Sequence, residues 1–404
     1  MLQPIARSRS SADLLSFIVV FSALYIAYGV LSPFLPAFFS SRGISPEQIG
    51  LLLFLGAIVR LLVGPLAGRI ADRLHALRQV FTICTAGAGA LSSTLILTYG
   101  FFPLLIVSLT HSAMLAPAPS LADALALRSA SEPASRFEYG WVRGAGSAAF
   151  AVGAIVSGQL VNALGYGLAL GAQAVILAAA AASAFLVPEI RVPRERGISG
   201  SSSVMAGFSV LLHNRPFRLF VIVAAIIVGS HAMQDAFAMI AWNAAGISPA
   251  FGGLLWSLSV AAEIVVFFVI GPWLLHRIRP EMAMLVSALA AILRWTVMSQ
   301  TPSILVLIFI QPLHGLTFAL LHLACMRLLI RVTPARLAAT AQTVYAFGMG
   351  ATVALLTLAS GFLYERVGSA GFLAMAALAF VSLPAIWALF RCLQRVGEKS
   401  ATGQ

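Results

Sequence analysis

The chain has 404 residues, of which 60% are hydrophobic and only 9% charged; a soluble protein carries about 25% charged residues, so a water-soluble globule is excluded. Its 25 Lys and Arg against 13 Asp and Glu give a formal charge of +12. A nucleic-acid binder would spread such a surplus over a soluble face, whereas here it gathers between long apolar runs.

A helix needs ~20 apolar residues to cross a hydrocarbon core about 30 Å thick. Twelve such runs stand between turn signals, at 14–39, 46–69, 79–99, 102–127, 138–162, 166–187, 217–242, 249–274, 281–299, 303–329, 336–363 and 367–391. The first is longer than the ~7–15 residues of a signal-peptide core and lacks a small-residue cleavage site, so it is expected to remain as a span. Pro33 and Pro36 predict a break in it. The second opens at "GISP" (Gly43–Pro46): Ser45 can cap the helix, Pro46 suits its first turn and Gln48 completes a capping box. Its one ionisable residue, Arg60, lies roughly 21 Å further on, inside the hydrocarbon. It ends in "GRIADRLHALR" (Gly68–Arg78).

The fourth run carries His111, read as packing, then Pro117 and Pro119, a second expected break, and Asp123. The fifth begins in "FEYGWVRGAGS" (Phe137–Ser147), with Arg143, and continues into "GAGSAAFAVGAIVSG" (Gly144–Gly158), a small-residue face for close helix packing. A short loop brings Asp123 and Arg143 to similar depth. An ion pair is expected there, either functional or a structural lock. A polar linker rich in Arg and Ser, 188–215, separates the sixth run from the seventh. His231 and Asp235 of the seventh are spaced to share a helix face. The eighth repeats "GISP" at Gly246–Pro249 and places Glu263 where the second has Arg60. Arg294 lies in the ninth, and His314 and His322 in the tenth.

Cys84, Cys325 and Cys392 are scattered among apolar runs, so neither a disulfide framework nor a metal site is expected. No phosphate-cradling loop or nucleophile motif points to a nucleotide, a cofactor or an enzyme. With the N-terminus taken as cytoplasmic, most Lys and Arg fall on the inner side, including Arg69, Arg73, Arg78, Arg191, Arg194, Arg196, Arg277 and Arg279. Arg42 and Arg366 fall outside, and Arg60, Arg143 and Arg294 lie within spans. This is the positive-inside pattern, with both termini cytoplasmic.

One constant offset carries Gly43 onto Gly246, Gly50 onto Gly253, Arg60 onto Glu263 and Gly68 onto Gly271. The same offset carries "SGQLVNALG" (Ser157–Gly165) onto "SGFLYERVG" (Ser360–Gly368). The fold class expected is all-α, with twelve transmembrane helices in two pseudo-symmetric six-helix bundles, 1–187 and 216–404. Parallel repeats of this kind place a substrate site between the halves near the midplane. Charges inside spans are costly enough that Arg60 and Glu263 are read as functional, the alternative being that each pairs or snorkels structurally.

This architecture resembles the major facilitator superfamily over the whole chain. "GRIADRLHALR" is similar to that superfamily's G-x-L-A-D-R signature, with Asp72 and Arg73 matching and Ile70 in place of leucine, which implies a gating role for the acid and the arginine. The second-half copy, "GPWLLHRIR", has lost the acid. "FEYGWVRGAGS", "WSLSVAAE" (Trp256–Glu263), "ILRW" (Ile292–Trp295), "LHGLTFALLHLACMR" (Leu313–Arg327) and "GFLYERVGSAGF" (Gly361–Phe372) look like the phenylpropionate permease family. That family is related to the oligosaccharide–proton symporters. The resemblance implies proton-coupled uptake of an aromatic acid. It also implies substrate contact for Arg143 and for a fourth-helix acid that Asp123 matches approximately, and proton handling by Glu263, Arg294 and His314. Glu263 and Arg294 are expected to approach each other in at least one conformational state. The symporters' tenth-helix lysine and glutamate fall at Gln311 and Thr317, so proton duty must move, with Asp123, His231 and Asp235 as further candidates, or be absent. The Gly-Pro motif that marks many drug antiporters is missing from the fifth helix.

An anion in the membrane calls for a cation, here Arg60, Arg143 or Arg294. An aromatic ring calls for walls such as Tyr25, Tyr28, Trp141, Trp256, Trp295 and Tyr345. The function expected is uptake of a small organic acid by proton symport, by a monomer in the bacterial inner membrane whose partners are substrate, protons and lipid and not nucleic acid. The alternatives are sugar or nucleoside transport, drug efflux, and a membrane sensor or enzyme that does not transport.

Overall fold

The computed structural model describes residues 3–130, 137–187, 209–334 and 337–402. Of the predicted linker, 188–208 lies outside them, with Arg191, Arg194 and Arg196. The described secondary structure is helical throughout. The membrane-length stretches are α1 (Asp13–Ser41), α2 (Pro46–Arg73), α3 (Leu77–Ile96), α4 (Phe101–Ala130), α5 (Tyr139–Leu164), α6 (Tyr166–Leu186), α7 (Arg215–Ala244), α8 (Pro249–Leu275), α9 (Pro280–Gln300) and α10 (Ile304–Val332). An eleventh, Ala338–Arg395, runs 58 residues, about twice what a bilayer requires. The 3-10 turn Gly368–Gly371 divides it into α11 (Ala338–Val367) and α12 (Phe372–Thr402). The eleven stretches therefore comprise twelve helices among the described residues.

Both GISP segments fold alike. Gly43 and Gly246 take φ of +76° and +84°, where a Cβ would be strained. Gln48 N donates to Ser45 Oγ (3.3 Å) and Ser45 N to Gln48 Oε1 (3.2 Å), closing the capping box. The second copy keeps only the Phe251 N to Ser248 Oγ contact, at 3.4 Å.

The chain divides into two compact units, Met1–Arg194 with Met239–Ser257, and Glu195–Ala238 with Leu258–Gln404. The segment joining α7 to α8 thus belongs to the first, where Ser257 Oγ donates to Ala151 O at 2.8 Å. In the first unit α1 packs along α5 and α6, and α3 along α6; in the second the equivalent helices pair again, α7 with α11 and α12, and α9 with α12. Lipid tails are as apolar as the side chains, so close backbone approach and interhelical hydrogen bonds hold such pairs together. Ser157 Oγ donates to Val30 O (2.6 Å), Gln173 Nε2 to Ala27 O (3.2 Å) and Ser92 Oγ to Gln173 Oε1 (2.7 Å), tying α1, α3, α5 and α6.

The small-residue face of α5 is what meets α1. A Cβ on Gly153 would lie 2.6 Å from Ile26 O, whereas one on Gly144 meets nothing within 4 Å. Gly153→Leu is therefore expected to destabilise the fold by about 1–3 kcal/mol. Thermal melting in detergent checks this, with Gly144→Leu melting near the wild type.

The predicted breaks occur at Leu31–Leu35 in α1 and at Leu115–Ala118 in α4. A third break, without proline, interrupts α7 between Gly229 and Ala232. There Ser230 Oγ donates to Ile227 O at 2.7 Å, a side-chain back-bond that bends helices. Further on, α8 contains a π-helical turn (Val266–Ile270), and α10 a 3-10 turn (Gln311–Leu313) followed by a π-helical turn (Gly315–Leu320).

Candidate functional site

In the second unit the polar residues collect where the backbone departs from α-helix. His231 sits at the break of α7, and His314 lies between the two irregular turns of α10. Arg294 of α9 is 0% exposed. It donates through Nη2 to Gln311 Oε1 at 2.7 Å, and its Nη1 stands 3.1 Å from His314 Nδ1. Its Nε has no hydrogen-bond partner among the described residues. Gln311 Oε1 also accepts from Ser259 Oγ of α8 at 2.8 Å.

These contacts fix a tautomer. A guanidinium only donates, so His314 Nδ1 must accept and the neutral ring carries its hydrogen on Nε2. That nitrogen faces Glu263 Oε2 at 3.6 Å, an ion-pair distance longer than a hydrogen bond. The expected approach of Glu263 to Arg294 is thus built as a chain, Glu263–His314–Arg294, with the histidine between acid and cation. His314 stacks on Phe318 with centroids 5.5 Å apart.

His231 is buried (4% exposed). Its Nδ1 lies 3.1 Å from Ile227 O and its Nε2 lies 2.8 Å from Thr317 Oγ1. Its ring meets those of Trp295 (5.1 Å) and His314 (5.3 Å) edge to face, and Trp295 Nε1 donates to Ser230 Oγ at 2.9 Å. Asp235 N donates to His231 O at 2.9 Å, one helical turn on; unlike His231 it is exposed, and it interacts electrostatically with Arg294. Tyr345, expected as a substrate wall, is instead packed: it stacks on Phe220 (5.9 Å) and hydrogen-bonds Cys325. His322 meets only the edge of Phe267 among the described rings, at 5.8 Å.

The first unit holds the other cations. Leu115 O would normally accept from the residue four positions on, but that residue is Pro119, which has no N–H. Tyr28 Oη supplies the missing donor at 3.0 Å, so the proline break of α4 places this tyrosine. Arg60 of α2 interacts with Tyr28 and with His111 of α4. It remains exposed, and no described carboxylate forms an ion pair with it. His111 is 4% exposed, lies beside Gln173, and has no hydrogen-bond partner on Nε2 among the described residues. Sequence reasoning set it aside as packing, and a lone histidine in an apolar run gave no signal otherwise.

The expected Asp123–Arg143 ion pair is not among those of the described residues. Asp123 Oδ1 accepts from Tyr139 Oη at 2.7 Å, while the Arg143 guanidinium lies 4.7 Å from the Tyr25 ring centroid. Helix α5 begins at Tyr139, so its first turn offers the tyrosine to Asp123 and carries Arg143 one turn further. Trp141 falls on the opposite face of α5 and is 71% exposed, apart from this cluster. Trp256 is half-buried on α8, within the segment that belongs to the first unit.

In the signature loop Asp72 pairs with Arg128 of α4 at 2.9 Å, and Arg73 is exposed. The second-half loop, which lacks the acid, uses Arg327 of α10 instead, donating to Leu275 O at the end of α8. Among the described residues no His, Cys, Asp and Glu group could hold a metal ion.

Paired helical units with charges held inside the spans define a multi-pass secondary transporter of the major facilitator type. The chain belongs to the MFS_1 like family, whose model matches residues 14–374. It is 30% identical over 367 residues to the probable 3-phenylpropionic acid transporter of Escherichia coli (strain K12), covering 90% of this chain and 93% of that one. It is 26% identical over 362 residues to the maltose permease of Geobacillus stearothermophilus, covering 87% of each. The crystal structure of the nucleoside transporter NupG has the same fold, with a TM-score of 0.83 at 17% identity over 93% of this chain and 98% of that one. These relatives are transporters rather than enzymes, and so is this chain.

Proposed function

We propose that the protein is a monomeric, proton-coupled permease for a small organic acid with an apolar, aromatic body, of the 3-phenylpropionate kind. It works in a bacterial inner membrane with both termini in the cytoplasm. The observation that carries this reading is the chain Glu263–His314–Arg294, a carboxylate and a permanent cation joined by a titratable ring inside the spans. The relative at 30% identity supplies the substrate class.

Charge balance gives the mechanism. A carboxylate bound at Arg60, with Tyr25 and Tyr28 as walls and Arg143 as a further cation, adds a negative charge to the spans; a proton taken up in the polar cluster around the Glu263–His314–Arg294 chain adds a positive one. Either alone leaves an unmatched charge in a medium of low dielectric constant, whereas both together leave the balance unchanged. The doubly loaded carrier and the empty carrier are the forms that cross most readily, which is symport. The Asp72–Arg128 pair, at the loop between α2 and α3, is the gating contact that would open and close in each cycle.

Transport of a sugar or nucleoside is the second reading, favoured by the maltose permease relative. Inhibition distinguishes the two. 3-Phenylpropionate should inhibit uptake of a labelled aromatic acid more strongly than its amide does, and maltose or a nucleoside should have no effect. Equal inhibition by acid and amide would move the second reading ahead.

A further inference from the structure

Two histidines, His231 and His314, stand in the polar cluster of the second unit, and their surroundings allow them different chemistry. His314 has both nitrogens committed: Nδ1 accepts from Arg294, a group that always donates, and Nε2 points at Glu263. A second proton on this ring would set N–H against N–H, so Arg294 would first have to leave. His231 is not bound in this way. Its Nδ1 faces Ile227 O, a carbonyl that only accepts, so that nitrogen carries hydrogen. Its Nε2 faces the hydroxyl of Thr317 at 2.8 Å.

A hydroxyl can donate or accept. With the ring neutral, Thr317 O–H donates to Nε2. With the ring protonated, Nε2–H donates to Thr317 Oγ1, and the hydroxyl hydrogen turns to His314 O, which already lies 3.3 Å away. The proton is gained or lost by rotating one O–H bond, with no heavy atom displaced. We infer that His231 is the residue of the second unit that holds the transported proton, and that Thr317 is the positioning residue whose hydroxyl accommodates both states.

The charged and titratable groups facing His231 are His314 from α10 and Arg294 from α9. Glu263 of α8 stands behind His314, and Asp235 is on α7 itself. A cation on His231 beside Arg294 is balanced indirectly, by Glu263 through His314 and by Asp235 through Arg294. Glu263 thus sets the charge of the site, and His231 receives the proton.

The inference rests on the proton-coupled reading, so the test begins with wild-type protein in liposomes and labelled 3-phenylpropionate, measuring gradient-driven accumulation against pH and equilibrium exchange at equal pH. Accumulation that ignores the proton gradient would overturn both the reading and the inference. With coupling present, Thr317→Val should shift the pH of half-maximal accumulation by about one unit, the worth of one hydrogen bond. Thr317→Ser should restore the wild-type profile. His231→Gln should lose accumulation while keeping exchange, which also reports that the variant is folded. Where Thr317→Val does not fold, Thr317→Ser with an unchanged profile and His231→Gln with exchange alone carry the same expectation. A coupled wild type whose His231→Gln variant still accumulates substrate, or whose Thr317→Val variant keeps the wild-type profile, would overturn the inference and leave the proposed function standing.

Discussion

Glu263→Gln is expected to lower accumulation driven by a pH gradient by about two orders of magnitude and to leave equilibrium exchange largely intact. Its carboxylate and Arg294 are the opposite charges joined through His314. The amide keeps the shape and the contact to His314 Nε2–H but cannot supply the negative charge that balances a bound proton. Exchange at equal pH needs only that the loaded form reorient, so it survives. Paired measurements of uphill uptake and exchange in liposomes check the split. Full accumulation by the Gln variant would remove Glu263 from the coupling machinery and return Asp123 and Asp235 to consideration.

Arg60→Gln is expected to weaken inhibition by aromatic carboxylates and to leave their amides unaffected. A charge-assisted hydrogen bond is worth about 1.5–3 kcal/mol, or roughly 10- to 150-fold in apparent affinity. Arg60 is the residue chosen because its contacts are Tyr28 and His111 rather than a carboxylate, and because it stays exposed. Arg294, by contrast, is fully enclosed and already bound to Gln311 and His314. Competition curves for acid and amide, before and after the substitution, decide the point. An unchanged preference would move the reading of the carboxylate to Arg143.

Much of the fold could be read directly from the chain, because its signals are local. Apolar run length marks the helices, Pro33 and Pro117 mark two breaks, and the paired GISP segments mark equivalent helix starts. The site was less legible wherever it depends on departures from α-helical register. His231 and Asp235 do stand one helical turn apart, with Asp235 N donating to His231 O at 2.9 Å. His231 is buried at the break of α7 and Asp235 is exposed, a difference that spacing does not show. Reading Glu263 and Arg294 as direct neighbours assumes a regular α10; the 3-10 and π-helical turns around His314 present that ring between them. Tyr28 on Leu115 O follows from Pro119, but only once α1 is known to lie against α4. His111 beside Arg60, and Tyr139 in place of Arg143 beside Asp123, depend on helix rotation, which residue spacing alone does not determine.

The central claim, that this transporter couples proton entry to uptake of an aromatic acid, meets its most direct test in liposomes carrying the purified protein, given labelled 3-phenylpropionate with the outside acidic. Neutral weak acids cross bilayers unaided, so protein-free vesicles and vesicles carrying Glu263→Gln provide the baseline. Accumulation well above that baseline, collapsing when a protonophore dissipates the gradient, is the predicted result. Accumulation no greater than the baseline, while maltose or a nucleoside is concentrated by the same gradient, would contradict it.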